Sequence, residues 1–88
     1  MGVPRERPEH LAAKLLAIRQ ALGLSQSELI AKLRRDLSTA RISEYEKGSR
    51  IPSLLTLLAY AKAARVRVEV LIDDDFVLPE RLKQSRSS

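Results

Sequence analysis

The sequence predicts an all-α fold, a compact domain of four to five helices, and three observations predict it. Leu11, Leu15, Ile18 and Leu22 recur at helical spacing and form one apolar stripe. Ser25 and Ser38 stand immediately before two further helical patterns, where a side-chain oxygen can cap the first exposed N–H groups. Gly23 and Gly48 follow the first and third of these runs, where a left-handed C-terminal cap costs glycine little.

Residues 1–8 carry Gly2, Pro4, Pro8 and three charges and read as a flexible N-terminal arm. The first helix is expected over Glu9 to Leu22. In Leu24-Ser-Gln-Ser-Glu-Leu29, Ser25 can cap the second helix while Glu28 reaches back to the Ser25 N–H, and Leu24 and Leu29 occupy hydrophobic-staple positions. That helix starts at Gln26, buries Leu29, Ile30 and Leu33, and fades near Arg35. Ser38 then caps a third helix ending at Gly48, with Leu37 and Ile42 as the next staple. Ile42 and Tyr45 face inward on it, and its other face is polar and of short to medium length. Ile51-Pro52-Ser53 breaks the chain before a fourth helix, Leu54 to Ala64, whose leucine and alanine content makes it the expected most buried element.

The segment 66–72 is ambiguous. Val66, Val68 and Val70 alternate with Arg67 and Glu69 as in a strand, while Leu71 and Ile72 suit a helical turn, so a short helix and a dimerising strand both remain open. Asp73-Asp74-Asp75 reads as a solvated end, because it lacks the spacing of a calcium loop. The domain is expected over residues 9–78, followed by a disordered basic polar tail, 79–88.

Composition bounds the function. The 88 residues are 44% hydrophobic and 31% charged, as in a globular chain, and there is no cysteine for a disulfide or thiolate metal site. The longest uncharged run, Ile51 to Ala61, falls short of the ~20 residues that a membrane span needs, and residues 1–8 lack the apolar stretch of a secretory signal. The expected location is cytoplasmic, with no membrane partner. His10 has no metal or catalytic partner in sequence, no nucleophile–base pair or phosphate-cradling loop is visible, and an enzyme, a cofactor and a metal are not expected. A net charge of +5 favours polyanions. From Lys32 to Arg50, six basic residues stand against three acidic ones, so the positive charge concentrates around the third helix. With three aromatic residues in the chain, a single-strand binder based on base stacking is disfavoured.

Two short helices joined by a turn, the second with a polar outer face, form the helix-turn-helix device. Leu24-Ser-Gln-Ser-Glu-Leu29, then Ile42-Ser-Glu-Tyr-Glu-Lys-Gly48, then Pro52-Ser53 and the Leu/Ala-rich helix resemble the Xre-type family of phage repressors, Cro proteins and bacterial regulators and antitoxins, over about Leu11 to Ile72. The stretch Arg34 to Ser38 is about two residues longer than the usual turn, and Arg65 stands where the family usually has glycine.

The resemblance implies a repressor-like domain that binds double-stranded DNA as a homodimer, with helix 38–47 in the major groove. Thr39, Ala40, Arg41 and Glu44 match the base-reading positions. Arg41 has the two donors that guanine O6 and N7 accept, the methyls of Thr39 and Ala40 suit thymine, and Glu44 either accepts from cytosine or pairs with Arg41 in the free protein. Ser25, Gln26, Arg34, Arg35, Ser43, Lys47 and Arg50 are candidates for phosphate contact, Ser25 being equally a plain cap. Arg19 and Glu46 match a structural pair joining the first helix to the third. Val66, Val68, Val70, Phe76, Val77 and Leu78 either form the dimer surface or close the monomer's own core. An alternative implied by the same resemblance is an antitoxin that neutralises a toxin partner and regulates its own operon.

Overall fold

The computed structural model describes residues 8–83, so most of the expected arm (1–8) and the end of the expected tail lie outside the described residues. Six helices follow in order: α1 (Leu11–Leu22), α2 (Gln26–Leu33), α3 (Thr39–Lys47), α4 (Leu54–Ala64), α5 (Val68–Ile72) and α6 (Glu80–Lys83). Among the described residues there is no strand, and no helix is long and apolar enough to cross a membrane.

The caps set the boundaries. Ser25 Oγ accepts from the Glu28 N–H at 3.0 Å and the Glu28 carboxylate accepts from the Ser25 N–H at 2.8 Å, a complete capping box. Ser38 and Ser53 accept in the same way from Arg41 and Thr56. Gly23 and Gly48 close α1 and α3 in the left-handed region. At the ends of α2 and α4 that conformation falls instead on arginines, Arg34 (φ 57°) and Arg65 (φ 60°). The longer connection after α2 is therefore made by a left-handed Arg34, a turn closed from the Leu37 N–H to the Arg35 carbonyl, and the Ser38 cap. Arg65 takes the expected glycine position without preventing α5, which makes 68–72 a short helix rather than a strand, with Val66 and Arg67 leading into it: Arg67 is its N-cap position and Leu71 is fully buried.

One core joins the elements. Leu15 and Ile18 of α1, Leu29 of α2, Ile42 and Tyr45 of α3, and Leu57 and Tyr60 of α4 are buried in it together with Leu71. Burial of each large side chain stabilises the fold by about 1.5–3 kcal/mol. α4 carries more buried residues than the other helices described, as its composition suggested, but only on one face. Thr56, Leu57, Tyr60, Ala61 and Ala64 face the core, while Leu54, Leu55 and Leu58 on its other side are exposed.

Three sequence expectations are corrected at the two ends. The first helix begins at Leu11, not Glu9, with His10 at its N-cap position outside helical geometry; the Asp74 carboxylate, far along the chain, accepts the Glu9 N–H at 2.8 Å and the His10 N–H at 3.1 Å. The Asp73–Asp75 run thus ties down the entry to α1 as well as being a charged loop. Second, the domain does not stop at Leu78: α6 follows and packs against α1, and Leu82 is buried, so the first residues of the expected disordered tail belong to the core. Third, part of the proposed dimer surface closes the monomer. Leu78 is buried and Val66, Val68 and Val70 pack against the core, whereas Phe76 and Val77 stay exposed.

The connection after α5 hangs on Lys14. This buried lysine of α1 donates to the carbonyls of Val70 (2.8 Å), Asp73 (3.2 Å) and Phe76 (2.8 Å). Burial pulls its pKa down, opposed by the charges of Asp74 and Asp73.

Candidate nucleic-acid interface

α2 and α3 form the two helices of the motif, and their mutual position is fixed by side chains rather than by the turn alone. Arg19 donates from Nε to Glu46 Oε2 at 2.7 Å and from Nη2 to Oε1 at 3.1 Å, and from Nη1 to the Leu24 carbonyl at 3.0 Å. Gln26, the first residue of α2, donates to Ser43 Oγ at 3.0 Å and to Glu46 Oε1 at 3.3 Å. The Arg19–Glu46 pair implied by the resemblance is therefore present, and Gln26 extends it into a network spanning α1, α2 and α3. Sequence reading placed Gln26 and Ser43 as separate contact residues; the structure brings them together.

The face of α3 turned from the core carries the other candidates. Thr39 and Ala40 are exposed in its first turn and Lys47 in its last. Glu44 pairs with Arg41 at 3.3 Å and with Arg50 at 2.9 Å. Of its two expected roles, Glu44 fills the pairing one in the free protein and adds Arg50 from beyond the helix. Each pair is solvent-exposed and worth under ~1 kcal/mol, so a phosphate or guanine can draw either arginine away at little cost.

Ser25 is exposed and engaged in its capping box. Arg34 and Arg35 do not join the α3 cluster. They line, with Lys32, Lys62, Leu55 and Leu58, a groove between α2 and α4. Two structural ties had escaped the sequence reading: Lys14, visible in retrospect because it interrupts the apolar stripe at Leu11, Leu15 and Ile18, and Asp74, whose long-range partners have no local signal. Among the described residues, no group of three or more His, Asp or Glu side chains is placed to hold a metal.

The arrangement can present hydrogen-bond donors and methyl groups from one short helix, backed by a rigid polar network, to a flat or grooved polyanion. No curated protein and no solved structure matches the chain. A helix-turn-helix family model (HTH_3) matches residues 15–71, from the middle of α1 to the end of α5 and well over half of the chain. With capped α2 and α3, their connecting network and this match in place, the chain belongs to the Xre/Cro-like helix-turn-helix family of DNA-binding regulators.

Proposed function

We infer that the protein binds a specific sequence in double-stranded DNA as a homodimer and represses transcription by occupying a promoter, with α3 in the major groove. The observation that carries this reading is the row of exposed Thr39 and Ala40 and half-exposed Arg41 and Glu44 on a helix anchored from behind by Arg19, Gln26 and Glu46. A reading helix must hold its donors in register with base edges, and such anchoring fixes that register. The backbone N–H of Gln26 at the start of α2, with Lys47 and Arg50 at the far end of α3, would straddle the groove and take phosphates on either side, setting orientation and affinity rather than sequence preference. One 88-residue chain reads only a short half-site, and two copies read an inverted repeat about one helical turn apart.

Selection from random duplex DNA, followed by salt titration of the best and of a scrambled site, tests this. The expected result is an inverted repeat bound at least ~10³-fold more tightly than scrambled DNA at physiological salt. Uniform weak binding that vanishes with salt would overturn it and turn the search toward a protein partner.

A further inference from the structure

Among the described residues, the large apolar side chains left in solvent fall into two patches of opposite charge. The first lies on α4 and its lead-in: Leu54 and Leu55 are 67% and 60% exposed, with Ile51 and Leu58 beside them. Leu55 and Leu58 floor the groove between α2 and α4, whose charged lining is Lys32, Arg34, Arg35 and Lys62, without a carboxylate. The second patch follows α5: Phe76 is 49% and Val77 67% exposed, and they line a hollow with His10, Ala13, Lys14 and Leu78. The Lys14 ammonium there is already taken by three backbone carbonyls and Glu69 is paired with Arg67, so the exposed charges flanking Phe76 in sequence are the carboxylates of Asp73 and Asp75.

A phosphate backbone would satisfy the cations of the groove and leave its leucines wet. An apolar segment bearing carboxylates satisfies both, and this chain carries such a segment. Its backbone is also set in advance. Lys14 grips the carbonyls of Asp73 and Phe76, and Asp74 is tied to the N–H groups of Glu9 and His10, so Phe76 and Val77 project from a fixed loop. Little ordering remains to oppose docking.

We propose that a second copy of this chain seats Asp75, Phe76 and Val77 on the groove between α2 and α4, the apolar pair against Leu55 and Leu58 and the carboxylate against Lys62 and Arg35. The proposal rests on the homodimer inferred above and names the two surfaces that join it. Because the patches are unlike, the contact closes into a dimer when made twice about a two-fold axis and extends into a chain when made once per copy.

Leu55→Glu spoils the groove and Phe76→Lys spoils the loop; both positions are exposed, and circular dichroism checks that the helices persist. Sedimentation of the full chain without DNA reads the mass. The expected result is association for the native chain, a single 9.9 kDa chain for each variant alone, and weaker association regained when the two variants are mixed, since one intact groove then meets one intact loop while the second contact stays spoiled. Lys62→Glu and Asp75→Lys should each weaken association, and combining both in one chain should restore it. A native chain that sediments singly at every concentration, variants that associate like the native chain, or a mixture that stays single would each overturn the proposal. Because DNA is absent, a failure of DNA recognition would leave this result standing, and the reverse holds for the DNA selection.

Discussion

The Arg19 guanidinium meets the Glu46 carboxylate at two points, 2.7 and 3.1 Å, and its Nη1 donates to the Leu24 carbonyl at 3.0 Å. One side chain of α1 thereby fixes both the entry to α2 and the end of α3. The Glu46 side chain is only 7% exposed, so removing Arg19 strands a nearly buried charge. Arg19→Ala is expected to cost about 2–3 kcal/mol in urea unfolding, and Arg19→Lys to recover only part, since an ammonium cannot make the two-point contact. A loss under about 0.5 kcal/mol would mean the pair is incidental.

Much of this fold was legible because it is written locally. Ser25 with Glu28, and Ser38 before Thr39, mark helix starts by chemistry that operates within four residues, and both starts fall where expected. The placement of Arg19 against Glu46 came only with the resemblance, since nothing in the spacing of two residues 27 apart pairs them. What stayed hidden acts at a distance or against composition. Asp74 ties down the entry to α1, 64 residues away in sequence, and α6 sits in a polar stretch whose single leucine, Leu82, supplies the buried anchor. The reading face of α3 follows from its inward Ile42 and Tyr45, and Arg34 and Arg35, grouped with it because they precede it in sequence, line the α2–α4 groove.

Arg65 ends α4 with φ 60° and ψ 45°, a conformation that crowds the side chain of any residue but glycine. Its N–H bonds the Lys62 carbonyl, the following Val66 N–H bonds Ala61, and its own carbonyl accepts from Arg81, all through backbone atoms that glycine retains. Arg65→Gly should therefore stabilise the protein by about 0.5–1 kcal/mol, raising Tm by a few degrees in a domain of this size. A lower melting temperature would show that the arginine side chain contributes more than its backbone strain costs.

Tyr60 is fully buried and its hydroxyl finds no hydrogen-bond partner among the described residues; burial also pushes its pKa up. An orphaned buried hydroxyl costs about 1–3 kcal/mol, while the ring contributes packing that phenylalanine keeps. Tyr60→Phe should thus be neutral or stabilising by up to about 1 kcal/mol in chemical denaturation, and a clear destabilisation would reveal a partner, such as a bound water.

Asp74 links stability to pH. The N–H groups of Glu9 and His10 bond its carboxylate and hold its pKa below the usual carboxylate value. A depressed folded pKa means that the unfolded chain takes up the proton first. The contribution of Asp74 is then complete above the unfolded value, near pH 4, and is lost as pH falls through the folded one. Asp74→Ala should be less stable than the native chain at pH 7, and the gap should narrow steadily below about pH 4. Denaturation curves at pH 7 and pH 3 measure it; a constant gap would remove the charge from the explanation and leave only lost packing.

Arg41 and Lys47 lie six residues apart on α3, and the proposed function assigns them different work. Arg41 pairs with Glu44 in the free protein, and base reading would exchange that weak exposed pair for two hydrogen bonds to a guanine edge. Arg41→Ala should then cost about 1–3 kcal/mol on the selected site and relax preference at one base pair while leaving scrambled DNA nearly unaffected. Lys47, in the last turn and exposed, would meet a phosphate. Lys47→Ala should weaken every sequence alike and lower the salt slope by about 1. Reversed outcomes, with Lys47 setting preference and Arg41 only the salt slope, would mean that α3 enters the groove rotated or shifted by about one turn from the register argued here.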